Sequence, residues 1–338
     1  MITIDKIFAK EIFDSRGNPT LEVTVSSGGN DGAFKVPSGA STGSHEAVEL
    51  HDGDANYHNG KGVSKAIENV NGIINDTLVG LDVTNQREID RKMIELDGTI
   101  NKSHLGANSM IGVSVAAAKC AAKVSGLQTF EYLRTLTEIK PSRDFPLLYM
   151  NLINGGMHAK TRLAFQEYHV VPQTDDVEDA FRIGGEIQIK LKDIISNELG
   201  DQNIRTGDEG GYALDVLDIK KPLELLRAAT IETGNQDKVR FALDVAASSF
   251  FKDGKYFVNG EYISGDELGK IYDNLINEFN LLSIEDPFEE EDFEGFANLL
   301  GKHPGLRILG DDLTTTNKEL VQKAIDKQSI NAMIIKPN

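Results

Sequence analysis

Four short apolar runs in the second half of the chain each end on a charged residue, and this pattern constrains the fold more than any other feature of the sequence. Leu281-Leu282-Ser283-Ile284 runs into Glu285-Asp286 and is stopped by Pro287. Val239-Arg240-Phe241-Ala242-Leu243 ends at Asp244, Leu306-Arg307-Ile308-Leu309-Gly310 at Asp311-Asp312, and Ala332-Met333-Ile334-Ile335 at Lys336. Short, mainly apolar runs of this kind read as strands of a buried parallel sheet. Segments of helical character separate the later ones. Side chains delivered at successive strand tips predict an α/β chain with a (β/α) barrel and a site at its carboxyl edge.

Asp244, Glu285 and Asp311 are the metal candidates. Carboxylates without Cys or His make a hard oxygen site, suited to Mg²⁺ or Mn²⁺ and not to zinc. One such acid alone is an ordinary solvated strand end; three on successive strands argue for a shared site. Asp286 and Asp312 leave a one-residue ambiguity at two positions. Lys336 would stand beside the metal, where burial and a neighbouring cation disfavour its charged form and suit it to act as a general base. Its bland alternative is a lysine reaching out from a strand end. Glu209, in Gly207-Asp208-Glu209-Gly210-Gly211-Tyr212, is placed to donate a proton, although a flexible acidic turn is the commoner fate of such a loop. His158 and Glu167 occupy the first two barrel strands, where a core histidine and an edge carboxylate are the default readings. Together these groups suit proton removal beside a carboxylate, with metal holding the resulting charge and an acid assisting loss of a β-hydroxyl.

The bulk composition is compatible with this reading. The 338 residues predict about two domains, and 40% hydrophobic content gives ample core. A net charge of −18, from 53 acids against 35 Lys and Arg, argues against non-specific nucleic-acid binding. Cys120 is the single cysteine, within a small-residue helix, so no internal disulfide forms and a reducing compartment fits. A charged N-terminus without a signal peptide, and the lack of any apolar run of membrane-spanning length, point to a cytoplasmic protein.

Along the chain, Ile2, Ile4 and Ile7, then Leu21, Val23 and Val25, recur at strand-like spacing around the turn formers Asp14 to Pro19, predicting a β meander. Helices are expected over 60–79, 85–96 and 107–124. Pro37-Ser38-Gly39-Ala40-Ser41-Thr42-Gly43 is a loop of small residues; it lacks the Walker lysine and could lend oxygens to a hard metal. An interdomain linker is expected over 137–145, then strands 147–153 and 164–171, a helix over 178–198, and a hairpin marked by Asp253-Gly254 and Asn259-Gly260.

These motifs resemble the enolase family over essentially the whole chain. The resemblance rests on Asp14-Ser15-Arg16-Gly17-Asn18-Pro19-Thr20, the loop 37–43, Gly106-Ala107-Asn108, Gln166-Glu167, the loop 207–212, Ser283-Ile284-Glu285-Asp286-Pro287 and Gly310-Asp311-Asp312-Leu313. It implies a small α+β N-terminal domain over 1–136 and a modified TIM barrel over 137–338 that begins β-β-α-α. It further implies Mg²⁺-dependent, reversible dehydration of 2-phosphoglycerate to phosphoenolpyruvate in glycolysis, in a homodimer. Asp244, Glu285 and Asp311 would hold the first of two Mg²⁺ ions and Ser41 would reach the second. Lys336 would take the C2 proton, Glu209 supported by Glu167 would protonate the leaving hydroxyl, and His158, Glu167, Glu285, Asp311 and Lys336 would contact substrate. The lysine-base, two-metal pattern is a known one for this superfamily.

There are departures. His51 stands where the family has arginine, Ser249 where it has glutamate, and Lys160-Thr161-Arg162 where it has a smaller loop. The resemblance also implies a barrel incomplete at the C-terminus, with two further strand–helix units carrying a Ser-His-Arg cluster and a second lysine for the substrate's phosphate and carboxylate. The alternative is an enolase-like binding or structural protein without catalysis; the presence of every candidate up to Lys336 favours the enzyme.

Overall fold

Alternation in the first residues is realised as an antiparallel meander: β1 (Ile4–Phe13), β2 (Pro19–Ser27) and β3 (Asn30–Lys35), in the order β1-β2-β3. The computed structural model describes residues 2–39, 43–140, 142, 144–207 and 209–337. Its internal contacts divide it into two units, one of residues 1–40 and 45–142 with 337–338, the other of 143–336 with 41–44.

In the first unit the meander's inward residues, Ile4, Ile7, Leu21, Val23 and Val25, are almost wholly buried. The helix expected over 60–79 is three joined pieces: α1 (Ser64–Asn69), a π-helical turn (Val70–Ile74) and α2 (Asn75–Leu78). There Asn75 and Asn71 accept hydrogen bonds from the backbone N–H groups of Ile7 (2.9 Å) and Ala9 (2.7 Å), satisfying donors on the free edge of β1. α3 (Gln86–Asp97) begins at an Asn85 cap, and α4 (Ala107–Val124) and α5 (Thr129–Thr135) follow. α4 lies on the sheet at backbone distance. A Cβ on Gly32 of β3 would stand 2.2 Å from the Ala116 carbonyl oxygen, so only glycine permits this approach. Cys120 is buried in α4, as its small neighbours suggest.

The second unit is a seven-stranded sheet with helices between its strands. In chain order it comprises β4 (Met150–Asn154), α6 (Gly156–Ala159), β5 (Glu167–Pro172), α7 (Val177–Leu199), β6 (Tyr212–Ala213), α8 (Lys221–Glu232) and β7 (Val239–Asp244). A small sheet of β8 (Phe251–Lys252), β9 (Lys255–Val258) and β10 (Glu261–Ile263) intervenes, making two hairpins where the sequence suggests one. α9 (Gly265–Phe279), β11 (Ser283–Glu285), α10 (Phe293–Lys302), β12 (Arg307–Gly310), α11 (Lys318–Asp326) and β13 (Ala332–Met333) complete it.

The strand order is β13-β12-β11-β7-β5-β4-β6. β7, β11, β12 and β13 run parallel, while β5 is antiparallel to both β4 and β7, as a β-β-α-α start requires. The expected strand 164–171 begins only at Glu167, with Gln166 just before it donating its N–H to the Asp244 carbonyl and accepting from Gly155. Phe241, Leu243, Ile284 and Ile308 face the helices in the main core, whereas Val171, Ala242 and Leu282 form a separate small cluster. With both faces covered, these strands need apolar residues at successive positions, which explains their appearance in the sequence.

Candidate active site

Three carboxylates line up across neighbouring strands. Glu167 is the register partner of Asp244 between β5 and β7, and Asp244 that of Glu285 between β7 and β11. Register partners share a sheet face, so these side chains project together. Asp311 follows the end of β12, two residues after Leu309, the partner of Glu285. The Lys336 amine lies 2.7 Å from Asp311 Oδ2, joining the strand-tip acids to the lysine beyond β13.

Asp244 is buried, with Oδ2 accepting from Gln166 Nε2 at 2.9 Å and Oδ1 from the Ala246 N–H at 3.1 Å. Burial, reinforced by the charge of Glu167, pushes its carboxyl well above the usual range. Burial first, and then Asp244, does the same to Glu285, to which no side chain donates a hydrogen bond among the described residues. Crowded, desolvated carboxylates facing one lysine fit a hard divalent cation held by oxygen, and the chemistry of the donor set excludes a soft metal. Asp244, Glu285 and Asp311 are the residues that would hold it. Asp286, Asp311 and Asp312 also lie close enough to share an ion. However, the two oxygens of Asp286 already accept the backbone N–H groups of Asp311 (3.0 Å) and Asp312 (2.7 Å), which favours Glu285 as the ligand.

A second cluster stands beside the first. His158, at the end of α6, places Nδ1 3.0 Å from Glu167 Oε1, and His169 Nε2 lies 2.8 Å from Glu167 Oε2. Burial alone would raise the Glu167 carboxyl, but hydrogen bonds from His158, His169 and Glu209 outweigh it and hold Glu167 far below the usual range. Glu209 responds oppositely: its hydrogen bond with ionised Glu167, then its burial, push it up to about 7. His158 Nδ1 is 3.7 Å from Glu209 Oε1, and Asn151 donates to Glu209 Oε2 at 3.1 Å. The bond to Glu167 raises the His158 imidazole above its ordinary value. One carboxylate is thus kept ionised while its neighbour is raised to titrate near neutral pH, the separation that acid–base chemistry requires.

Glycine delivers Glu209 to this place. A Cβ on Gly207 would lie 2.9 Å, and one on Gly211 2.6 Å, from Asn154 Oδ1. Both amide atoms of Asn154, Asn151 Oδ1 and His158 Nε2 are buried without a hydrogen-bond partner among the described residues. Such unsatisfied polar atoms suit a small, strongly polar ligand.

The structure therefore brings together Asp244, Glu285, Asp311 and Lys336, and beside them His158, Glu167 and Glu209. Ser41 lies outside the described residues; at the near end of its loop Ser44 donates its N–H to Glu290 Oε2 at 3.0 Å. Of the departures, His51 donates from Nδ1 to the Lys61 carbonyl oxygen at 3.1 Å, and Arg162 pairs with Asp215 at 2.9 Å. Sequence reasoning assigned no role to Asn151, Asn154, Gln166 or His169. The signal for His169 was its period-two spacing from Glu167, which puts both on one face of β5.

Fold and site define an α/β-barrel enzyme with paired acids and a lysine at the strand tips. Two family models match: "Enolase, N-terminal domain" over residues 4–133 and "Enolase, C-terminal TIM barrel domain" over 142–338. The chain is 46% identical over 337 residues to the enolase of Methanocaldococcus jannaschii, an alignment covering 99% of this chain and 78% of the relative. It is 45% identical over 342 residues to the enolase of Thermococcus kodakarensis, with the same coverage of 99% and 78%. The chain belongs to the enolase family, and its enzyme class is phosphopyruvate hydratase, a lyase. Among the described residues no single helix is long and apolar enough to cross a membrane.

Proposed function

We propose that this chain carries out the reversible, Mg²⁺-dependent dehydration of 2-phosphoglycerate to phosphoenolpyruvate, as a glycolytic enzyme of the cytoplasm and as a homodimer. The reading divides the chain into an N-terminal domain over 1–136 and a barrel over 137–338 carrying the chemistry. The observation that carries it is the meeting, at one sheet edge, of Lys336 on Asp311 with Glu209 on Glu167.

In the dehydration direction Lys336, as the free amine, takes the proton from C2. The C2–H electrons form the C2–C3 double bond, and the C3–O bond breaks. Glu209, protonated near neutral pH, gives its proton to the departing hydroxyl, which leaves as water. Glu167 remains ionised and holds Glu209 in its proton-bearing form, while His158 presents Nε2 to the substrate. A divalent ion on Asp244, Glu285 and Asp311, with a second reached by Ser41, would supply positive charge for the substrate's carboxylate and phosphate. Lys336 must first give up the proton of its ammonium, paired with Asp311, before it can accept one, and a cation held by the Asp311 carboxylate would weaken that pairing and favour the free amine.

The test is formation of phosphoenolpyruvate from 2-phosphoglycerate with Mg²⁺ and with chelator, in wild type, Lys336→Ala and Glu209→Gln. Both variants should lose dehydration, and only Glu209→Gln should still exchange the C2 proton with solvent. Folded, metal-binding wild type that forms no phosphoenolpyruvate would refute the reading and favour a non-catalytic relative.

A further inference from the structure

Histidine 169 is not accounted for by the reaction as written, yet its surroundings are those of a built site. It lies two residues after Glu167 on β5, so both side chains rise from one face. The imidazole is 8% exposed, and its neighbours across the ladder are Asn151 and Ala242, the latter leaving room for the ring. Tyr149 stands edge-on to it, 5.9 Å between ring centroids at an interplanar angle of 74°. The Tyr149 hydroxyl is fixed in turn, accepting from Arg307 Nη1 at 3.3 Å and lying 3.5 Å from Ser283 Oγ.

The two ring nitrogens have different fates. Nε2 is 2.8 Å from Glu167 Oε2, while Nδ1 is buried with no partner among the described residues. A proton on Nδ1 would leave a buried N–H unpaired at substantial cost, whereas a bare Nδ1 forgoes only a weaker acceptor. The arrangement therefore selects the tautomer with its proton on Nε2, a donor of fixed direction toward Glu167.

We infer that His169 is a positioning residue for the proton-donating half of the reaction: it holds Oε2 of Glu167 while His158 holds Oε1, fixing the plane in which Glu167 meets Glu209. The inference rests on the reaction proposed above. A carboxylate held by only one histidine is free to rotate about its last torsion, and Glu209 loses a partner of fixed direction.

The test compares His169→Leu with His169→Gln in the full chain, with Mg²⁺ and 2-phosphoglycerate. Leucine removes the donor; the glutamine amide restores an N–H at similar reach. His169→Leu should lower kcat by about 10- to 100-fold with KM unchanged, by analogy with small misplacements of catalytic groups. His169→Gln should recover most of that loss at equal thermal stability. Unchanged kcat in the leucine variant, or a folded glutamine variant no better than leucine, overturns the inference. A second readout does not depend on turnover: ¹⁵N spectra of the histidine rings should show Nε2 protonated and Nδ1 bare at His169, with the signal shifting in Glu167→Gln. An Nδ1-protonated ring overturns the inference. Wild type without turnover refutes the reaction instead, and the ring spectra then decide whether the pairing itself exists.

Discussion

Asp244 and Glu285 face each other across the parallel ladder of β7 and β11, a buried and a half-buried carboxylate beside the Lys336 amine that pairs with Asp311. The relationship makes this edge a source of instability without metal. Burial and mutual repulsion raise Asp244, Glu285 and Asp286 above their ordinary values. A carboxyl whose folded pKa is raised contributes stability that is full below its unfolded pKa and is lost as pH rises through the folded value. In chelator, the unfolding midpoint should therefore fall as pH climbs from the ordinary carboxylate range through neutrality. Mg²⁺ should raise it, and more so at higher pH. A midpoint in chelator that stays flat or rises over that range would refute the charge crowding.

Neutralising one member should separate stability from metal binding. Asp244→Asn removes a buried charge while keeping the shape that accepts from Gln166. Without metal the midpoint should rise by about 2–4 °C for each kcal/mol of repulsion relieved. With Mg²⁺ the further rise seen in wild type should be largely absent. Differential scanning calorimetry with and without Mg²⁺ measures both; a variant that keeps the full Mg²⁺ response argues against Asp244 as a ligand.

If dehydration runs as proposed, Glu209 should set its pH limit. It carries its proton below about 7 and loses it above. The rate constant of the dehydration step should decline as pH rises through that region, and the reverse hydration, which needs Glu209 as the base, should decline as pH falls through it. Single-turnover rates in both directions across neutral pH would show this crossing. Glu167→Gln removes the neighbouring charge that raises Glu209, so its limb should move to lower pH.

Gly32 tests the packing of the first unit independently of the site. Gly32→Ala places a methyl group 2.2 Å from the Ala116 carbonyl oxygen, and backbone must move to relieve the overlap. Overpacking of this kind costs roughly 1–3 kcal/mol. Chemical denaturation should report that loss, and Gly29→Ala provides a contrast, since its strain is conformational and its Cβ meets nothing within 4 Å.

Much of the site was legible because it is written locally. An apolar run that meets an acid is a property of consecutive residues, and strand grammar alone points to Asp244, to Lys336 and, within one residue, to Glu285 and Asp311. His158, Glu167 and Glu209 were only candidates on that grammar, and it took the family resemblance to give them roles. The choice between Glu285 and Asp286 was also invisible locally, since both follow Ile284. It depends on Asp286 reaching the backbone of a turn on another strand.

By itself, the sequence determined the two-part organisation of strands and helices, the meander at the start and the chemistry available at the strand tips. These follow from the periodicity of side chains along a single segment, which the chain carries wherever it goes. Only the tertiary structure decided which groups face each other: Glu167 against Asp244, Asp244 against Glu285, and His169 on the far oxygen of Glu167. Register between strands and the approach of glycine loops set those meetings, and both arise from contacts between residues far apart in the chain. For that reason the separation between an ionised Glu167 and a Glu209 raised to about 7, on which the proposed chemistry turns, belongs to the fold and not to either residue's neighbours in sequence.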